Sequence, residues 1–183
     1  MPTLEVADIA PERFIGFNEV KTFRRNRQSA GVHFFLDDYQ FERVWTNPQR
    51  YISLLSEFAA VCSPDFSLYA DMPVAMQIWN TYRSRAVGQI WNRSGIKIIP
   101  TVSWSTPDSY AFCFEGLPTG SVVAISSQGV IRYRDSFQWW IQGAEEMVQR
   151  LAPRKILLYG KPVEFDAGDS EIISYAPRCR TTF

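Results

Sequence analysis

The chain has 183 residues, 46% of them apolar and 21% charged, which excludes a disordered, collagen-like or coiled-coil chain and leaves room for one domain with a full core. Nineteen Lys and Arg balance nineteen Asp and Glu, so wholesale electrostatic capture of nucleic acid or of an anionic membrane is not expected. Six Trp within a 15% aromatic content call for core packing or for a stacking site.

Residues 1–30 read as an irregular entry in which Leu4 to Phe17 is a candidate strand. Within it KTFRRNR places Lys21, Arg24, Arg25 and Arg27 together. This cluster is a candidate anchor for phosphate or nucleic acid, against the alternative of a solvated loop, and it enters the amino end of the first strong strand. That strand lies in GVHFFLDD, residues 31–38. A helical stretch follows, punctuated by Asn47 as a cap and Pro48 at the first helical position. Ala59 to Cys62 is the second apolar run, closed by Ser63-Pro64-Asp65.

Pro73 to about Ser94 carries the strongest helical pattern. Val74, Ile78, Tyr82, Ala86 and Ile90, with Ala75, Trp79 and Trp91, predict one buried stripe; Arg83, Arg85 and Arg93 fall off it and Gly95 stops the helix. IKIIPTVSW, 96–104, is the third run and precedes Thr106-Pro107-Asp108, another cap followed by proline. SVVAISSQG, 121–129, is the fourth, followed by a helix from about Asp135 to Leu151; KILLYGKP, 155–162, is the fifth. Residues 163–183 show no period and read as a tail packing on the outside. Apolar runs separated by helices predict a single α/β domain over 1–183 with a mainly parallel sheet. The sheet closes as a small or incomplete β/α barrel or stays open and doubly wound, and periodicity does not choose. Both arrangements put a ligand site at the carboxyl ends of the strands.

That edge collects the chemistry. Asp37, Asp38, Asp65 and Lys161 are the catalytic candidates, carboxylates serving as base or nucleophile and the ammonium offsetting negative charge. Ser67, Tyr69, Ser103, Trp104 and Ser126 are the substrate-binding candidates, with Trp104 as a stacking wall. Some of these have plainer alternatives, Asp38 as a helix cap, Asp65 as a turn former and Trp104 as rim packing, and Asp71 nearby reads as a cap. Trp45, Trp91 and one of Trp139 and Trp140 read as core or helix-face residues. Asp37, Asp38 and Asp65 are chemically suited to Mg²⁺ or Mn²⁺. Cys62, Cys113 and Cys179 are too few and too widely spaced for a zinc or iron–sulfur site or a disulfide framework, and Cys62 and Cys113 read as buried hydrophobes. His33, the single histidine, reads as a core residue. Neither glycine fingerprint for NAD or for nucleoside triphosphates is present, nor a G-x-S-x-G elbow. MPTLEVADIAPERF lacks the features of a signal peptide and no apolar stretch approaches ~18 residues, so a cytoplasmic protein without a membrane span is expected.

At GVHFFLDDYQFERVW, SPDFSLYADMP, QIWNTYRSR and IIPTVSW the chain resembles domain-of-unknown-function family 4417, from about Phe17 to Lys161. The resemblance implies a setting of phages, plasmids and other mobile elements, and it brings no activity or catalytic residues with it. Two functions stand as expectations. One is a small hydrolase or transferase acting on a nucleotide-, nucleoside- or sugar-type substrate; the other is a non-catalytic protein that engages a host protein or nucleic acid.

Overall fold

The apolar runs become short strands: β1 (Arg13–Gly16), β2 (Ala30–His33), β3 (Ala60–Cys62), β4 (Ile98–Ile99), β5 (Val122–Ser126), β6 (Lys155–Tyr159) and β7 (Glu171–Tyr175). They belong to a computed structural model that describes residues 1–129 and 134–177. Cys179 lies outside the described residues. The strands pair in chain order, β1 to β4 in one ladder and β5 to β7 in another, and every pairing is parallel. Pro100 has no N–H to donate, so β4 is short and the chain beyond it turns to β5. There Thr101 bridges Ala124, with Val102 N–H donating to the Ala124 carbonyl and Ala124 N–H to that of Pro100, both at 2.9 Å.

Sequential order is the barrel alternative; a doubly wound sheet reverses order at a switch point. The outer strands also meet: the Phe14 and Tyr175 rings lie 4.6 Å apart, and Tyr175 OH donates to the Pro11 carbonyl at 2.6 Å. No ladder joins β7 to β1 among the described residues, so the barrel is incomplete. Register aligns Phe14, Gly31 and Ala60 on one side, and Phe14 and Ala60 pack with Val122, Ala124, Leu157 and Tyr159 in one core. His33 sits in the same core, its Nδ1 accepting from Phe35 N–H at 3.1 Å and its ring 4.2 Å from that of Tyr159. Burial lowers its pKa to about 3, so it is a neutral core residue. On the other side of the sheet Val123, Ile125, Ile156 and Leu158 pack against Trp140, Ala144, Met147 and Leu151 of α4 (Arg134–Leu151). Each large side chain buried there contributes roughly 1.5–3 kcal/mol.

Three further helices precede α4: α1 (Arg43–Thr46), α2 (Ile52–Leu55) and α3 (Val74–Arg93). Asn47 Oδ1 accepts from Arg50 N–H at 3.2 Å ahead of Pro48, as its sequence position indicates. Thr106 and Asp71 make no such cap, since neither the turn at Pro107–Ala111 nor α3 carries a side-chain cap bond.

The stripe expected on α3 is inverted over the first three turns and holds at the last, where Trp91 is buried and Arg93 exposed. Val74, Ile78, Trp79 and Tyr82 are exposed, whereas Gln77, Asn80, Thr81, Arg83, Ser84 and Arg85 are buried. The cause is what the helix covers. Its first three turns lie over loops rather than over a sheet, and loop carbonyls need donors. Gln77 Nε2 donates to the Met72 carbonyl at 2.8 Å and Asn80 Nδ2 to that of Ser67 at 2.7 Å. Arg85 donates to the carbonyls of Cys113, Glu115 and Thr101 at 2.7, 3.2 and 3.3 Å. Only the last turns reach an apolar core, through Val87 and Trp91. Trp45 is half-buried, its ring 5.1 Å from that of Trp79. The presumed outer tail also contributes β7, whose pairing with β6 runs from Lys155↔Glu171 to Tyr159↔Tyr175.

Candidate functional site

The carboxyl ends of β2, β3 and β5 and the turn after β4 open onto a cleft of about 700 Å³. Asp37, Asp65, Ser67, Tyr69, Ser103, Trp104 and Ser126 all line it, brought together from four separate strand ends. Ser63, at the end of β3, fixes the floor: its Oγ accepts from Thr101 N–H at 2.9 Å, and its carbonyl accepts from Thr101 Oγ1 at 2.6 Å.

Asp65 sits on this floor. Its carboxyl accepts a short hydrogen bond from Ser103 Oγ. Burial pushes its pKa up to about 7; the Ser103 bond and the charge of Arg85 oppose that rise, while the charge of Asp38 adds to it. Arg85 lies behind the floor, and burial brings its own pKa down to about 10. A void of about 10 Å³ between them, about large enough for one water molecule, is lined by polar side chains including Asp65, Asn80, Arg85 and Ser103 and by the apolar Pro64, Phe66 and Leu68.

Trp104 forms one wall. Its indole lies against α4 where Gly143 stands, and a Cβ at that position would come within 2.2 Å of Trp104 Nε1. Glycine in mid-helix costs roughly 1 kcal/mol relative to alanine, and here it admits the ring. The Trp104 and Trp140 ring centroids are 5.8 Å apart, and Trp140 is held by Nε1–H donating to the Ser126 carbonyl at 2.8 Å.

Asp38 and Lys161 do not join this lining. Asp38 caps no helix; its carboxylate takes Ser67 Oγ–H at 2.8 Å and Ser67 N–H at 3.2 Å, shaping the loop beneath the cleft. Lys161 is exposed, and its carbonyl accepts from Ser127 Oγ at 2.7 Å. Among the described residues no three His, Cys, Asp or Glu side chains converge as a metal site, so Asp37, Asp38 and Asp65, whose chemistry would allow Mg²⁺ or Mn²⁺, are not gathered into one. The cysteines Cys62 and Cys113 are buried free thiols; burial raises both, Cys113 to about 12.

Phe35, Gln40, Ser105, Gln128, Ser136, Trp139 and Trp140 also line the cleft without having been site candidates, and Trp140 is at the same time buried in the core, as expected of one of this tryptophan pair. Ser136, Trp139 and Trp140 share one face of the opening turns of α4, which follows the carboxyl end of β5, and that i, i+3, i+4 spacing was the available signal. In the basic cluster Lys21, Arg24 and Arg25 are exposed, but Arg27 is not free. It pairs with Glu57 at 2.6 Å, donates to the Phe23 and Val20 carbonyls at 3.0 and 3.1 Å, and covers the Phe58 ring. The loop leads into the amino end of β2, and the cleft lies at the other end.

The family described as "Domain of unknown function (DUF4417)" matches residues 1–176, and the chain belongs to it. The Gene 1 protein of Mycobacterium phage L5 is 40% identical over 162 residues, covering 88% of this chain and 71% of the phage protein. The Gene 1 protein of Mycobacterium phage D29 is 41% identical over 163 residues, covering 86% of this chain and 60% of its own length. These relatives fit a phage or mobile-element origin. No solved structure matches the chain. No helix among the described residues is long and apolar enough to cross a membrane.

Proposed function

We propose that this member of the DUF4417 family is a small α/β hydrolase or transferase that works at the carboxyl ends of its strands on a nucleotide-, nucleoside- or sugar-type substrate. One observation carries the reading: a carboxyl whose pKa is raised to about 7 by burial sits on the floor of a cleft large enough for such a molecule. A group that is half protonated near neutral pH serves best as a general acid and base. Asp65 takes that role and Ser103 orients its carboxyl. Asp37, exposed at the rim, is the second carboxylate. Trp104 and Tyr69 hold a planar or sugar face, while Ser67 and Ser126 bond its hydroxyls. Lys161 has no part in this arrangement.

The test is a thermal-shift screen with nucleotides, nucleosides and sugars, followed by turnover of whichever ligand stabilises the protein. Asp65→Asn should keep the fold and lower kcat by about 10²-fold or more. Turnover unchanged by that substitution would remove Asp65 from the mechanism. A second reading, a protein that engages a host protein, is favoured by the exposed apolar face of α3 with Ile78, Trp79 and Tyr82. A host protein held by the wild type and released by Trp79→Glu supports it; retention by both refutes it.

A further inference from the structure

The chain leaving β4 carries its side chains in two rows. Val102 and Trp104 belong to the apolar cluster against α4. Thr101 and Ser103 face the other way, where Thr101 Oγ1 donates to the Ser63 carbonyl at 2.6 Å and Ser103 Oγ bonds the Asp65 carboxyl. This is the alternation of an extended chain, and it puts Ser105 next in the polar row, ~6.6 Å beyond Ser103. Ser105 lines the cleft at 8% exposure. Its backbone is tied down: its N–H donates to Ser109 Oγ at 3.0 Å, and that hydroxyl gives its own proton to the Thr106 carbonyl at 2.7 Å. Ser105 Oγ itself has no hydrogen-bond partner among the described residues. Its two neighbours in the row spend their hydroxyls on the protein, whereas this one is held in place and left over.

We propose that Ser105 is a specificity-determining contact of the cleft, whose Oγ bonds a hydroxyl of the ligand and selects it over analogues that lack that hydroxyl; this deepens the reading above and rests on it. A buried hydroxyl without a partner costs the free protein stability, and a ligand group that reaches it recovers the cost. A ligand hydroxyl both donates and accepts, as the serine does, so it satisfies Ser105 whichever way the serine proton turns. The deoxy analogue leaves Ser105 Oγ unpaired beneath it, which is how a site built to bond a hydroxyl rejects a ligand without one. A ligand bonded here lies beside the Trp104 wall and about one ring's width from Asp65, so the contact also brings its far side to the carboxyl.

The experiment sets Ser105→Ala beside the wild type and each probe beside its deoxy forms. The probes are adenosine, uridine, methyl glucoside and methyl galactoside, each with its mono-deoxy analogues. Binding is read by intrinsic tryptophan fluorescence, and stability by thermal unfolding without ligand. The expected result is that one probe binds the wild type about tenfold more tightly than one of its deoxy forms, and that Ser105→Ala closes the gap by weakening the hydroxylated ligand alone. In the free protein the same substitution leaves Tm unchanged or raises it, since the atom removed strands no partner. A gap that survives Ser105→Ala, or no gap in the wild type, overturns the proposal. So does a lower Tm, which would show the hydroxyl already bonded in the free protein. In those cases turnover lost in Asp65→Asn leaves the enzymatic reading standing. A gap closed by Ser105→Ala for a ligand that is never turned over supports the contact and sinks the enzymatic reading. Absence of binding by every probe overturns both.

Discussion

Replacing Asp65 with Asn should stabilise the protein at alkaline pH and leave it nearly unchanged in acid. The ordinary value of this carboxyl is 3.8 and burial raises it to about 7, so between those limits the folded state holds a proton that the unfolded state has released. Stability therefore falls as pH rises through that window. At 1.36 kcal/mol per pH unit, the ionised carboxylate costs the fold up to about 4 kcal/mol once pH exceeds about 8. Asparagine has no such cost, and a gain of that size corresponds to roughly 10 °C in Tm for a chain of this length. His33 has the opposite sign. Its pKa falls from 6.5 to about 3, so the unfolded state takes up a proton that the folded state refuses and stability is lost as pH drops below 6.5. In the wild type these two slopes cancel between about pH 4 and 6.5; in Asp65→Asn the acid-side loss from His33 is exposed. Urea unfolding followed by tryptophan fluorescence across that pH range measures both. A stability difference between the two proteins that does not change with pH would refute the argument.

Other substitutions probe the supports of the site. Gly143→Ala should lower stability by about 1–3 kcal/mol and alter the near-ultraviolet circular dichroism, because the new methyl displaces Trp104; an unchanged spectrum would contradict that close approach. Arg27→Ala should cost about 1–3 kcal/mol through its lost pair with Glu57 and two carbonyl bonds. Arg24→Ala, on an exposed side chain, should stay within about 0.5 kcal/mol, and denaturant midpoints separate the two. On α3, Ile78→Ser should change stability by about 0.5 kcal/mol or less, whereas Asn80→Leu should cost about 1–3 kcal/mol by stripping the Ser67 carbonyl and Arg83 of partners. Equal costs at both positions would contradict the inverted face.

The legible parts of this fold were those where one element buries one face against a sheet. The runs that became β2, β3, β5 and β6 are apolar on both faces, and α4 follows the rule that its apolar side chains meet a strand layer. Seven cleft residues were legible for a related reason, since strand termini in a parallel sheet converge whatever the strand order. The face of α3 was not, because periodicity tells which residues are apolar and not whether the neighbour is a sheet or a loop full of carbonyls. For β7 the pattern was weak: Glu171, Ile172 and Ser174 are exposed on an outer strand, leaving Ile173 half-buried and Tyr175 buried. Lys161 follows β6, whose carboxyl end contributes no residue to the cleft lining, and it stands past Gly160, whose φ of 128° turns the chain away from an extended path.

The central claim is that Asp65 is a carboxyl held near neutrality in a ligand-binding cleft, and carbon-detected NMR titration of its side chain tests it most directly, with the protein free and with the ligand that stabilises it most in the thermal-shift screen. The account predicts one carboxyl resonance with a midpoint near 7, absent in Asp65→Asn and displaced when the ligand is added. A midpoint near 3.8, or a resonance that no ligand moves, would contradict it.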